Sequence, residues 1–343
     1  MFRADANSQI GYGHFTRSIA LAQMLKEDFE CHIAIATPGN AMLLQLQNAG
    51  VGLIELPPVA YTTPDRRNAE DEIPFDLEDC LKGDEIVVLD GYWFGEKYQQ
   101  RLRKYPVKIA IIEDDGKGNY CADMIINHAP GLKAEDYTLD TKNPVFALGP
   151  DYALLRPEFL KAAREERRAK VEIKTVMVCF GGADSKNLVN IVTGWLLQNT
   201  DYHVHAIVGG SFRNIIELNQ RRINASSRLT ISQNLREAEM LAAMKDADLA
   251  IVPASGILYE CIACRLPVIS GYCAENQKRI YQGLLHFDAF EDAGEFDEMA
   301  IQRAIKQLSL DRLKEISEHQ KVCIDGKSMD RMKNAFLSMR TVA

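Results

Sequence analysis

The chain has 343 residues, of which 47% are hydrophobic and 26% charged, with 22 glycines and 12 prolines, a make-up that excludes a disordered or fibrous protein. Its length is about twice that of a usual domain, so two separate cores are expected. The net charge of −8 argues against nucleic acid or an anionic membrane as partner, because both need a basic field, and leaves any anionic ligand to be held by local dipoles.

No apolar run approaches the roughly 18 residues of a membrane span, and Arg3 and Asp5 interrupt any secretory segment at the start. A cytoplasmic protein is therefore expected. The first strand, MFRAD, is short, leaving room for a start codon upstream of Met1. Further strands are expected at His32 to Ala36, Val51 to Leu56, Glu85 to Leu89, Lys108 to Ile112 and Met124 to Asn127, with helices such as Phe15 to Leu25 and Ala41 to Ala49 between them. This alternation means βαβ units around a parallel sheet. Between Leu148 and Lys170 the pattern breaks at Pro150, Pro157 and the charged run EERRAK. The expected division is thus an N-terminal Rossmann-like domain, 1–150, and a C-terminal one, 151–343. In the second, strands at TVMVCF, VHAIVGG, near Leu229, DLAIV and LPVIS alternate with helices at Lys186 to Leu197, near Asn214, Glu237 to Met244 and Gly256 to Cys264. The stretch from Phe296 to Met339 is helical, and either caps a domain or crosses back to the first. Two such halves place a ligand at the carboxyl ends of the strands, in the crevice they face across.

The sharpest local signal is FRADANSQIGYGHFTRSIALAQML. A strand ends at Asp5, a loop with Gly11 and Gly13 follows, and a helix opens at His14 with Arg17 one turn in. A helix start offers unpaired N–H groups and a positive dipole end, which suit an anion. It also disfavours imidazolium, and a general base must be neutral to act; His14 is either that base or a residue that packs at the turn. VVLDGYWFGE brings Asp90 and Tyr92 to the same edge of the sheet. Asp90 orients His14 or a water, or merely starts a turn; Tyr92 bonds a sugar or phosphate oxygen, or lines a wall. Glu113, Asp114 and Asp115 follow another strand, as acids in the site or as a solvated turn.

In the second half, CFGGADSKN sets Gly181 and Gly182 between a strand and a helix, as a diphosphate loop or a plain turn, with Asp184, Ser185 and Asn187 as cap candidates. In AIVPASGILYEC, Ser255 stands at a helix start where it can meet a phosphate, and Glu260 lies where a carboxylate can accept from both ribose hydroxyls. Glu275, Asn276 and Gln277 occupy a further strand-to-helix turn, where amides suit sugar hydroxyls and acetamido groups or simply cap the helix. The eight cysteines are scattered; Cys261 and Cys264 form a C-x-x-C inside a helix with no second pair, so buried thiols are expected and no metal. His203 and His205 alternate along a strand and no metal constellation stands out, so no cofactor is expected.

At these residues the chain resembles the UDP-sugar hydrolases of pseudaminic-acid biosynthesis, which release a 2,4-diacetamido-2,4,6-trideoxy-altrose from UDP. The resemblance runs over nearly the whole length: R-x-D-x-x-x-x-I-G-x-G-H-x-x-R, D-x-Y, G-G-x-D-x-x-N, S-x-x-x-x-E and the N-Q pair. It implies an α/β protein of GT-B type, two facing Rossmann-like domains with an interdomain cleft, and an inverting hydrolysis in which His14 activates water. It further implies support from Tyr92 and Asn276, with UDP gripped through Gly182, Ser255 and Glu260. Gly256 departs from the family, standing where a second hydroxyl residue is common. Asp90 joins the catalytic set; Gly13, Arg17, Gly181, Asp184 and Gln277 join the substrate-binding set. The implied partner is a small UDP-sugar, with neither nucleic acid nor membrane. Two rivals remain: a GT-B glycosyltransferase, against which no patch for a lipid acceptor is found, and a non-catalytic nucleotide-sugar-binding protein, which has no use for a base at His14.

Overall fold

The computed structural model describes residues 1–7, 10–59, 73–167, 172–182 and 184–340. The chain divides into two compact units, one formed by Met1–Pro157 with Lys327–Ala343 and the other by Glu158–Gly326. Residues 168–170, the end of the charged run, lie outside the described residues.

The first unit carries β1 (Phe2–Ala4), β2 (His32–Ala36), β3 (Gly52–Leu56), β4 (Ile86–Asp90), β5 (Lys108–Ile112), β6 (Gly118–Tyr120), β7 (Met124–Asn127), β8 (Tyr137–Leu139) and β9 (Val145–Leu148). Seven of these form one sheet in the order β3-β2-β1-β4-β5-β7-β9, with every pairing parallel. Strands such as IVVLD and KIAII are buried along nearly their whole length, as expected where helices cover both faces of a parallel sheet. Helices α1 (Gly13–Leu25), α2 (Asn40–Ala49) and α3 (Glu96–Leu102) lie between the strands. The expected strands form to within a residue at their ends. The short β6, β8 and β9 went unforeseen.

β1 is central although its middle residue is arginine. Arg3 is wholly buried, and its guanidinium meets Asp5 at 2.6 Å and Asp76 at 2.7 Å and donates to the carbonyl of Ala34. Asp5 in turn accepts from the amide of Ala36 at 2.8 Å, and Asp76 from the Tyr98 hydroxyl at 2.7 Å. The charge is thus neutralised and its donors are used, which is the condition for keeping it inside.

The chain enters the other unit at the start of α4 (Pro157–Ala162). Its strands are β10 (Thr175–Val178), β11 (His203–Val208), β12 (Leu229–Gln233), β13 (Leu249–Pro253), β14 (Val268–Tyr272) and β15 (Glu291–Glu295), ordered β12-β11-β10-β13-β14-β15 and all parallel. Helices α5 (Leu188–Asn199), α6 (Ile215–Ala225), α7 (Glu237–Asp246), α8 (Gly256–Ala263) and α9 (Lys278–Leu285) connect them, followed by α10 (Glu298–Gln307) and α11 (Leu310–Cys323). β15, sequence EDAGE, is an edge strand whose polar side chains give no hydrophobic signal. Buried Arg265 donates to the carbonyls of Ile262, Gln320, Ala163 and Ile324, tying together the ends of α8, α11 and the segment after α4.

The helical stretch from Phe296 onward is shared between the units. α10 and α11 stay in the second, whereas α12 (Ser328–Met339) belongs to the first. There Phe336 packs edge-on to Phe29 with ring centres 6.1 Å apart, and Lys333 pairs with Asp28 at 2.8 Å.

Arg3→Met leaves the buried Asp5 and the half-buried Asp76 without their cation. Stability should fall by about 3–5 kcal/mol, read as a lower urea midpoint at unchanged m-value.

Candidate functional site

In each sheet the strand order reverses once, between β1 and β4 and again between β10 and β13. In an open parallel sheet such a point leaves a crevice beyond the carboxyl ends of the two strands. The candidate residues of the first unit gather at the first of these points, and several from the second unit lie in the loops of the other.

Beyond β1 the chain turns tightly. Asn7 accepts from the amide of Gly11 through its carbonyl and from that of Ile10 through its side chain, both at 2.9 Å, and Gly11 has φ +81°, which a side chain would strain. Helix α1 then opens at Gly13 with no side-chain cap. His14 sits in its first turn, 7% exposed, and its Nδ1 lies 2.7 Å from Oδ1 of Asp90, the wholly buried last residue of β4. Arg17, one turn on, brings Nε to 2.9 Å and Nη2 to 2.7 Å of the same carboxylate, and Ser18 donates to it at 3.1 Å. The other edge of the Arg17 guanidinium meets Asp114 at 2.6 Å, and Asp114 also accepts from the Tyr92 hydroxyl at 2.8 Å. The Tyr92 ring stands edge-on to His14, centres 4.8 Å apart.

These contacts fix the imidazole. Burial works against ionisation of Asp90, but Arg17 and then His14 outweigh it and hold the carboxyl below its usual range. Asp114 follows the same balance, with Arg17 and Tyr92 keeping it well below the ordinary carboxylate value. Arg17 is opposed by burial, yet Asp114 and Asp90 hold it charged. An ionised carboxylate only accepts, so Nδ1 carries the hydrogen, and the neutral ring has its lone pair on Nε2. The 3.2 Å approach of Arg17 Nη2 to Nδ1 is then the contact of two donors sharing one carboxylate oxygen. Nε2 has no hydrogen-bond partner among the described residues.

His128 joins this site without having been foreseen, and Asp114, one of three candidate acids after β5, joins it as well. Asp114 is not part of a solvated turn, and its neighbour Glu113 is a buried acceptor for Asn127 Nδ2 at 2.7 Å and for the Tyr137 hydroxyl. His128, just beyond β7, is buried, accepts at Nδ1 from the amide of Leu154, and is pushed down to about 4 by burial and by Arg17. Both follow the end of a strand, the one signal that pointed to them. Arg17 organises the site, its Nε and Nη2 held by Asp90 and its Nη1 by Asp114. Gly13 is exposed, with open space where a side chain would begin.

In the second unit, Gly181 follows β10 with φ +83°, and Gly182 lies so close to Gly209 that a Cβ on Gly209 would stand 2.4 Å from its Cα. Ala183 lies outside the described residues. Asp184, read both as a cap candidate and as a substrate residue, binds the start of α5: its two oxygens accept from the amides of Leu188 and Val189 at 2.9 and 2.8 Å. Ser255 is the N-cap of α8 and makes no side-chain cap bond, so its hydroxyl is not used by the helix. Glu260 is half-buried on that helix. Asn276 is exposed in the turn after β14, whereas Gln277 Oε1 accepts from the amide of Cys273 at 2.8 Å and so braces the turn. Asn276 belongs to a different unit from His14, Asp90 and Tyr92. Burial raises the thiols of Cys261 and Cys264, the latter to about 12, which leaves them inert. Among the described residues no group of side chains is arranged to hold a metal, and no helix is long and apolar enough to cross a membrane.

No known family profile matches the chain. In sequence it is similar to an uncharacterized protein of Methanocaldococcus jannaschii, 25% identical over 295 residues that make up 82% of this chain and 57% of that protein. It is also similar to the UDP-2,4-diacetamido-2,4,6-trideoxy-beta-L-altropyranose hydrolase of Campylobacter jejuni, 29% identical over 193 residues, 55% of this chain and 62% of the hydrolase. The chain thus spans about three fifths of the length of these curated relatives. In structure it is similar to MurG of Acinetobacter baumannii, with a TM-score of 0.62 at 14% identity over 98% of this chain and 99% of that one. The S. aureus MnaA-UDP co-structure gives 0.64 at 12% identity over 100% and 97%. The fold is of GT-B type, built from Rossmann-like parallel sheets.

His128 carries a pH dependence of known sign. The unfolded chain takes up this proton near pH 6.5 and the folded chain only near 4, so the unfolded state binds more protons between the two and stability falls as pH falls through that window. The loss approaches roughly 3 kcal/mol. His128→Asn, which keeps an acceptor for the Leu154 amide, should flatten the decline of the urea midpoint between pH 6.5 and 4; an unchanged decline excludes His128 as its source.

Proposed function

We propose that the protein hydrolyses a UDP-linked diacetamido-trideoxy sugar to free sugar and UDP, with inversion at the anomeric carbon and His14 as general base. One observation carries this: a histidine held through Nδ1 by a buried, ionised aspartate at the switch point of its sheet, with no hydrogen-bond partner for Nε2 among the described residues. That is the geometry of a base with its orienting partner. The similarity to the Campylobacter jejuni hydrolase supports the substrate class, and the likeness to UDP-sugar enzymes in fold is compatible with it.

In the reaction, His14 Nε2 takes a proton from water as the water oxygen bonds to the anomeric carbon. The bond from that carbon to the β-phosphate oxygen breaks, and its electron pair leaves with UDP. Asp90 stabilises the imidazolium through Nδ1–H. In the second unit the open Ser255 hydroxyl and the first amides of α8 provide for the diphosphate, the Gly181–Gly182 turn lets backbone approach it, and Glu260 is assigned to the ribose. Asn276 is assigned to the sugar and Tyr92 to the base through its ring contact. Charge on the leaving group is met by backbone dipoles, so no metal is required.

Incubation with the UDP-diacetamido sugar in ¹⁸O-water, without acceptor, should release UDP and place the label on the sugar. UDP release only on addition of an acceptor would mean a glycosyltransferase, and no release under either condition a binding protein. His14→Ala should lower kcat by about 10²- to 10⁴-fold with UDP affinity within a few-fold, whereas Glu260→Ala should weaken UDP binding; calorimetric titration with UDP separates the two. Chelator should leave the rate unchanged, and a loss restored by magnesium or manganese would overturn the metal-free step.

A further inference from the structure

Arg17 and His14 are bound by one atom. Asp90 Oδ1 lies 2.7 Å from His14 Nδ1 and 2.7 Å from Arg17 Nη2, and those two nitrogens are 3.2 Å apart. A guanidinium this close opposes any proton added to the ring, and the single charge of Asp90 is already matched by Arg17. The second carboxylate changes the balance. Asp114 binds the far edge of the same guanidinium at 2.6 Å and is itself held by the Tyr92 hydroxyl. Two carboxylates against one guanidinium leave the cluster one negative charge while His14 is neutral and none once the ring is protonated.

We infer that Asp114 is a positioning residue that acts through Arg17 to compensate the charge His14 acquires when it takes the proton from water. This rests on the hydrolase reading. The groups that face His14 are Arg17 from α1, Asp90 from β4, Tyr92 and Trp93 edge-on from the turn after β4, and Asp114 from the turn after β5. His128, after β7, interacts with Arg17, Asp114 and Asp90 but stays neutral above about pH 4 and so leaves the balance unaltered in the working range. A residue that only anchored Arg17 mechanically would alter rate or folding without shifting the pH dependence in a charge-ordered way.

The experiment is the pH dependence of kcat/KM for UDP release in the wild type, Asp114→Asn, Arg17→Gln and the double variant. Asp114→Asn should move the acidic limb down by about one pH unit and lower kcat about tenfold with KM within about threefold. Arg17→Gln should move the limb up, and the double variant should return it to within a few tenths of the wild-type position. Limbs that stay in place in both single variants, or move the same way, overturn the inference. If Asp114→Asn does not fold by circular dichroism, Arg17→Gln decides alone, an unmoved or lowered limb being the refuting result. If neither folds, Asp114→Glu keeps the charge and must leave the limb in place while kcat changes; a shifted limb refutes. Turnover retained in His14→Ala would remove the hydrolase reading itself, whereas an inactive His14→Ala beside unmoved limbs removes only the role of Asp114.

Discussion

A carboxylate with no exposed surface must be met by charge and by donors, and in the first unit that demand falls on Asp90. Its two oxygens take His14, Arg17 and Ser18, all from the first turns of one helix. The end of β4 and the start of α1 are thereby locked together, and the imidazole loses both its rotational and its tautomeric freedom. Rigidity of this kind is what a base needs, because a ring that must first be oriented forfeits much of the advantage of being nearby. The same interaction makes Arg17 a part of the framework, since its guanidinium is held by carboxylates from two sides.

Much of this was legible in the amino-acid order, for an identifiable reason. Strands buried along most of their length read as apolar runs, so β2, β5 and β7 could be placed to the residue and β4 to within one; β1, interrupted by Arg3, and the half-exposed β3 were also placed to within one. Once those ends are known, the residues that follow them, His14 and Asp90 among them, are known to lie at one edge. Which of them touch is a different matter, because contact depends on rotamers and on charges brought from distant segments. Asp114 and Arg17 are 97 residues apart, and no local pattern relates them. The acidic turn after β5 reads equally as acids of the site or as a solvated run, and only the guanidinium packed against Asp114 separates the two. Arg3 is the converse case: an arginine in a central strand reads as a fault until Asp5 and Asp76 are seen beside it.

In the second unit the same division appears with the opposite emphasis. Short polar residues at helix starts serve either the helix or a ligand, and spacing alone does not separate the two. Asp184 and Gln277 serve the backbone around them, whereas Ser255, although it stands at the cap position, leaves its hydroxyl unused by the helix. An N-cap that declines to cap forgoes about 1 kcal/mol of helix stability, and that forfeited stabilisation distinguishes it from its neighbours.

The return of α12 to the first unit has a consequence for synthesis. Arg340 donates to the carbonyl of Asp28 across 312 residues of chain, so the second unit is, in connectivity, an insertion within the first. On the ribosome the inserted unit has all of its strands and helices available before α12 emerges. The earlier-made unit must wait with the Phe29 side of α1 uncovered until translation has passed residue 339. Vectorial folding would thus complete the two units in the reverse of the order in which they begin, and the nascent chain carries an unpaired apolar helix face for most of its elongation.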